Sequence, residues 1–240
     1  MMHLSLHGAA LSFLAIAAVR AQDLITDLDP IDNFCRRFGH QTTVIDRRLY
    51  IDGGYVDYGG SISPETVNYT STYLIYLDLD DLVENFPIAH ANLSKPSNVP
   101  SVIGGALWAD TVNKYIYLYG GEYNWTTLPS SPFNLWSYDV IYDEWKVKER
   151  DSTMTTVLSA SFGASAVIDD RILAYYYGGW VSNATTLGWN GNPAAQYNLI
   201  KYDMTENIWD IGTFVDSTPR AEGVMFYIPA SGRCLYKNDA

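Results

Sequence analysis

The chain has 240 residues and carries 27 acidic against 15 basic side chains, a formal net charge of −12. Acidity of that order repels phosphate backbones and anionic headgroups, which excludes nucleic acid as a partner and argues against a lipid surface. At 48% hydrophobic residues, a chain of this length has ample material for a core.

The first element in chain order is an apolar run from Gly8 to Val19, followed by small residues around Val19-Arg20-Ala21. This pattern predicts a signal peptide over 1–21, although the n-region holds His3 and His7 rather than Lys or Arg. Twelve apolar residues are too few to span a bilayer, and no later segment qualifies. The expectation is therefore a secreted chain, starting near Gln22 with a net charge of −13 once Arg20 is removed. A lead-in covers 22–35.

Three times thereafter an apolar strand runs into a glycine pair: Leu49 to Gly53-Gly54, Tyr117 to Gly120-Gly121, and Tyr175 to Gly178-Gly179. A second series, Gly39, Gly105, Gly163 and Gly223, opens an apolar run ahead of each pair, 14, 15 and 15 residues before it. Two units continue with Tyr138-Asp139 and Tyr202-Asp203, each Asp six residues before a Trp, Trp145 and Trp209. In the first unit Asp78 has Glu84 at that distance, and Phe86 is the expected substitute. Alternation in Tyr115–Tyr119 and short Asp/Asn breaks predict four strands per unit; in the second these are 102–109, 114–121, 134–140 and 143–149. A repeated period of this size decides architecture before any local feature does.

These glycine pairs and Tyr-Asp…Trp motifs resemble the kelch repeat, whose four-stranded sheets are the blades of a β-propeller. The resemblance covers roughly 36–237, with blades at 36–90, 102–149 and 160–213, a partial one at 221–237, and a tail at 238–240. It implies an all-β fold in which the glycine pairs leave the strand through angles closed to other residues and each Trp fills the wedge between sheets. The fourth unit has Asn238-Asp239 where a glycine pair is due, so the expectation is about three and a half blades of an incomplete ring. Open edges at either end would then favour self-association.

The long units, 58 residues from Gly105 to Gly163 and 60 from Gly163 to Gly223, are similar to those of the galactose-oxidase-like kelch proteins of fungi. That likeness implies a copper enzyme as one alternative, holding its metal with histidines, tyrosines and a Cys-linked tyrosine. After signal removal only His40 and His90 remain, at no recognisable ligand spacing, so no metal or cofactor and no catalytic residue is assigned and any copper ligands would lie beyond Ala240. There is no G-x-S-x-G elbow, P-loop or dinucleotide fingerprint either. Asp78-Leu-Asp80-Asp81 lacks the glycine and terminal Glu of a calcium loop. Cys35 and Cys234 fall in distant units and are expected to be unpaired.

Four sequons, at Asn68, Asn92, Asn124 and Asn183, agree with secretion. Three fall in connections from second to third strand and Asn92 in a connection between units, which would gather all glycans on one face. The leading expectation is a non-catalytic module that binds protein or carbohydrate at the cell surface or wall. Tyr123, Trp125, Trp180 and Trp189, in the long second-to-third connections, are the candidate ligand contacts; packing of loops against the sheet is the competing explanation. A truncated product without function is the third alternative.

Overall fold

The computed structural model describes residues 34–58, 69–80, 90–93, 95–123, 135–149, 157–212, 217–229 and 233–237, with the backbone alone for 34, 58, 69, 90–92 and 233–237. The leader, Phe86, Asn68, Asn124 and Trp125 lie outside these residues. No helix among the described residues is long and apolar enough to cross a membrane.

Three antiparallel sheets of four strands follow one another. The first unit has β1 (Phe34–Phe38), β2 (Gln41–Ile45), β3 (Arg48–Asp52), β4 (Tyr55–Tyr58), β5 (Tyr69–Thr70), β6 (Leu74–Asp78) and β7 (His90–Leu93). The second has β8 (Val102–Ile103), β9 (Ala106–Asp110), β10 (Tyr115–Tyr119), β11 (Glu122–Tyr123), β12 (Leu135–Asp139) and β13 (Glu144–Lys148). The third has β14 (Ala164–Ile168), β15 (Leu173–Tyr177), β16 (Trp180–Val181), β17 (Ala194–Ala195), β18 (Leu199–Asp203) and β19 (Ile208–Gly212). A hairpin of β20 (Val224–Ile228) and β21 (Arg233–Lys237) comes last. The sheets order as β2-β3-β6-β7, β9-β10-β12-β13 and β14-β15-β18-β19. The innermost strand of each lies beside that of a neighbour, β2 against β9 and β14 against β20.

The strands expected for the second unit are found, with one difference. The first is broken at Gly104-Gly105, so that β8 pairs with β11 beyond the glycine pair while β9 pairs with β10 before it. The same break separates β1 from β2 and, in the third unit, Ser161 from β14.

At each break one residue has left-handed backbone: Gly39 (φ 64°), Gly104 (66°), Phe162 (53°) and Glu222 (60°). The equivalent of Gly39 is therefore Gly104, not Gly105, and the spacings to the glycine pair become 14, 16 and 16. The two-residue deficit lies in the first hairpin. There Asp46 and Arg47, both left-handed, close the turn alone, whereas four residues join Asp110 to Tyr115 and Ile168 to Leu173. A two-residue turn with both φ positive is the type I′ geometry that matches strand twist.

The left-handed residues form a backbone relay across the units. Gly104 N–H donates to Gly39 C=O (2.7 Å), Phe162 N–H to Gly104 C=O (2.7 Å), and Glu222 N–H to Phe162 C=O (2.6 Å). The glycine pairs build a second set of links. Gly54, Gly121 and Gly179 donate to the carbonyls of Val102, Ala160 and Arg220 in the following unit, at 2.9, 2.9 and 2.8 Å. A Cβ on the first glycine of each pair, Gly53, Gly120 or Gly178, would collide with that same oxygen. Two constraints thus coincide at each pair: positive φ, and a neighbour's carbonyl where a side chain would stand.

The Tyr-Asp…Trp motif closes the outer hairpin. Asp139 Oδ1 accepts from the amides of Ile141 (2.9 Å) and Tyr142 (3.1 Å), and Asp203 Oδ1 from those of Thr205 and Glu206 (both 3.0 Å). These are side-chain turns of the kind Asp favours. Tyr138 faces Trp145 across the ladder and donates its hydroxyl to Asp143; Tyr202 faces Trp209 and donates to Asn207. Each Trp then packs at a seam. Trp145 lies with Ile45 and Tyr50 of the first unit, and Trp209 stacks on Tyr202 (4.3 Å) and lies tilted against Trp108 of the second (6.0 Å). In the first unit the residue opposite Leu77 is His90, so the outer strand begins beyond Phe86 and the turn is longer than in its sisters. Asn92 consequently sits inside strand β7, opposite Ile75, rather than in a connection between units.

One seam also holds buried charge. Lys95, from the connection between first and second units, reaches Asp52 at 2.5 Å; both side chains are almost fully enclosed, and Gln41 Nε2 donates to the second Asp52 oxygen at 2.8 Å. The ammonium also lies 5.9 Å from the Trp145 ring centre.

Two predictions follow from these seams. Gly120→Ala should cost more than about 3 kcal/mol, lowering the melting midpoint by about 10 °C. Gly188→Ala, also at positive φ (83°) but with open space around it, should cost only about 1 kcal/mol; equal losses in thermal denaturation would show that φ alone sets the glycine requirement. Lys95→Met should cost about 3–5 kcal/mol by stranding Asp52, and Lys95→Met with Asp52→Leu should recover at least half of that in urea titrations.

Candidate functional site

The residue after each glycine pair is where the copies stop agreeing: Tyr55, Glu122 and Trp180. Each pairs with the residue ahead of the strand break, namely Phe38, Ile103 and Ser161. Past this point the second and third units run into long connections, and the start of the first, Glu122 and Tyr123, meets the third unit.

The meeting is built from hydroxyls and main chain. Trp180 and Ser161 exchange backbone hydrogen bonds at 2.7 and 2.9 Å. The Ser161 hydroxyl, fully buried, donates to Glu122 Oε1 at 3.0 Å, tying the second unit to the third. Tyr123 N–H donates to Ala184 C=O at 2.9 Å. The turn carrying Ala184 is itself rigid: Thr185 Oγ1 accepts from Ser182 N–H (2.9 Å) and donates to Ser182 C=O (3.0 Å), while Thr186 Oγ1 donates to Ser159 C=O (2.9 Å). Thr185 and Thr186 are both buried, and Asn183, between Ser182 and Ala184, is exposed. Ser and Thr form such turns because a short hydroxyl can close a ring with backbone two or three residues away.

Three of the four expected aromatics, Tyr123, Trp180 and Trp189, are among the described residues, and the Tyr123 backbone meets the connection that carries the other two. All three are half-buried. Tyr123 packs against one core cluster and Trp189 against another, with Trp189 Nε1–H donating to Asn192 C=O at 3.1 Å. Packing fixes their position and leaves part of each ring accessible. A small cleft of about 20 Å³ lies in the third unit, with Leu158, Val181, Gln196, Asn198 and Ile211 in its walls; Tyr123, Trp180 and Trp189 do not line it.

The two connections have an unusual charge distribution. From Ile172 to Ile200 the sequence has no Asp, Glu, Lys, Arg or His, and from Glu122 to Asn134 it has Glu122 alone. Amides and hydroxyls replace them: Ser182, Asn183, Thr185, Thr186, Asn190, Asn192, Gln196 and Asn198. Glu122 was not among the expected site residues. Its signal was positional, a carboxylate in the slot that is aromatic in the other two units.

The residues considered for other chemistry are accounted for differently. His40 is exposed beside the first strand break, and His90 is a strand residue. Among the described residues no three His, Cys, Asp or Glu side chains converge as a metal site would require. Burial pushes the phenols of Tyr119 and Tyr176 well above their ordinary range, so both stay neutral; Tyr119 donates to Leu158 C=O and Tyr176 accepts from Gly163 N–H. Cys35 is a free, exposed thiol, and the Cys234 side chain lies outside the described residues.

No protein-family model matches the chain. It is 28% identical over 248 aligned positions to a kelch repeat-containing protein of Arthroderma benhamiae, across 86% of this chain and 36% of that protein. The chain is a homologue of a kelch repeat-containing protein. The fold is similar to that of the solved structure of YjhT, with a TM-score of 0.55 at 14% identity, over 79% of this chain and 56% of that one. The chain spans about a third of the length of its Arthroderma relative.

The Thr185 turn ties the third unit's long connection to Ser159 and to the Tyr123 backbone. Thr185→Ala should leave Ser182 N–H unsatisfied in a buried position, costing about 1–3 kcal/mol. Hydrogen exchange should quicken at Ser182 and Tyr123 while the β9–β10 amides stay protected; uniform quickening across the blades would refute a local role.

Proposed function

We propose that this chain belongs to a secreted, N-glycosylated kelch-type protein that binds carbohydrate at the cell surface or wall without transforming it. The observation that carries this reading is the third unit's long connection. Half-exposed Trp180 and Trp189 stand in the connection 180–198, whose polar side chains are amides and hydroxyls and whose Thr185 turn is closed by hydrogen bonds; half-exposed Tyr123 meets that turn through its backbone. Aromatic faces stack on the apolar faces of sugar rings, and amides and hydroxyls match their hydroxyls. A partner protein with charged recognition elements would find little to pair with in connections that carry one charge between them.

Secretion rests on the leader-like 1–21, and glycosylation on the sequons, of which Asn183 is exposed. The relative's kelch designation agrees with the scaffold and leaves the ligand open.

The test is co-sedimentation of the secreted protein with insoluble chitin and β-glucan. Retention on at least one is expected, with Trp180→Ala weakening it about tenfold, the worth of one stacked aromatic. Failure to sediment with either, or an undiminished Trp180→Ala, would overturn the reading.

A further inference from the structure

Two of the four sequons have their third residue among the described residues, and both of those residues are enclosed: Thr70 is 3% exposed and Thr185 0%. Asn183 itself is exposed, so the folded surface offers the amide while withholding the hydroxyl that marks it as an acceptor. Residues 183–185 form a turn that is engaged along its length. Thr185 Oγ1 accepts from Ser182 N–H (2.9 Å) and donates to Ser182 C=O (3.0 Å). Ala184 N–H donates to Ser182 Oγ (3.1 Å), and Ala184 C=O accepts from Tyr123 N–H of the second unit (2.9 Å). Thr186, next along, is buried and donates to Ser159 C=O (2.9 Å), which pins the turn to its own blade.

We propose that Asn183 takes its glycan only before the third unit folds, and that closure of the Thr185 turn then shuts the sequon. The inference rests on the proposed secretion and glycosylation, and adds the order of events. The donor is an oligosaccharide carried on a lipid diphosphate. Asn183 Nδ2 bonds to the anomeric carbon as the C–O bond to phosphate breaks. The lipid diphosphate leaves with that electron pair, one amide proton passes to solvent, and nothing is oxidised or reduced. A transferase selects the amide by the hydroxyl two residues further on. The turn uses that same hydroxyl: its single proton goes to Ser182 C=O and its oxygen already accepts from Ser182 N–H. The finished glycan does not oppose folding, because Asn183 is exposed in the folded chain. Transfer therefore comes first, and the Ser182–Thr185 and Tyr123–Ala184 bonds form after it.

The experiment offers purified oligosaccharyltransferase and its lipid-linked donor three acceptors. These are the full chain, folded and made in a host lacking the enzyme; the same chain carrying Thr186→Val; and an unfolded peptide spanning 179–189. Glycopeptide mass spectrometry reads Asn183 in each, and in the secreted protein. The peptide should be modified readily and the secreted protein should carry the glycan. The folded chain should react at least about twentyfold more slowly than the peptide, because exposing Thr185 breaks two hydrogen bonds, each worth about fivefold. Thr186→Val keeps the sequon and removes the tie to Ser159, so it should recover about fivefold while thermal denaturation shows an intact fold. A folded chain modified as fast as the peptide would overturn the order of events, as would a folded Thr186→Val chain no faster than its parent. A peptide left unmodified, or a secreted protein bare at Asn183, would overturn Asn183 as an acceptor and the proposal with it. A chain retained by its own cells, with the three acceptors ranked as expected, would overturn the secreted reading and leave the closed sequon standing.

Discussion

Gly53-Gly54, Gly120-Gly121 and Gly178-Gly179 each lie against a carbonyl oxygen of the following blade, and the spacing of the blades depends on that approach. Val102, Ala160 and Arg220 present the oxygens; the second glycine of each pair donates to them, and the first leaves room for them. A larger residue at the first position would push the next blade away, and the Trp145 and Trp209 wedges would no longer meet their neighbours. Both side-chain packing and the left-handed relay from Gly39 to Glu222 assume that close distance. The hydrophobic contribution is large, since aromatic rings such as Trp108, Tyr119, Tyr202 and Trp209 fill the seam. What makes the contribution reproducible from blade to blade is main-chain geometry.

That division of labour decides what a reader of the sequence can see. Features used at every seam recur, so the glycine pairs and the Tyr-Asp…Trp motif were legible from spacing alone, and the strands of the second blade fell where alternation put them. The first blade was harder. Its inner hairpin turns in two residues, Asp46 and Arg47, which shifts the count to the glycine pair and made Gly39 look equivalent to Gly105. Its outer strand starts at His90 after a longer turn, so neither Glu84 nor Phe86 marks the Trp position. In both cases chain length changed where pairing did not, and length is what spacing measures.

The site was legible only in part, for the opposite reason. Tyr123, Trp180 and Trp189 drew notice as aromatics in long connections, but nothing in the sequence says that strands of different blades converge there. Glu122 matters because of its partner, Ser161, which is 39 residues away. A residue distinguished by its difference from the repeat is invisible to a search for the repeat. The absence of charge from Ile172 to Ile200 could have been counted, yet part of that stretch, with Ala174, Tyr176, Val181 and Ile200, fills the core, so the count alone does not mark a surface.

The relay and the glycine contacts run through peptide groups, so what one blade offers the next hardly depends on its side chains at those points. Phe162 and Glu222 stand where Gly39 and Gly104 stand and make the same bond. A gene segment encoding one blade, copied and inserted beside itself, would meet its neighbours with donors and acceptors already in register. Growth by duplication is thus chemically easy for this architecture, whereas loss of a few residues within a blade is not. Over evolutionary time such a chain would be expected to vary in whole units and in its connections, and to resist small deletions across the glycine crossings.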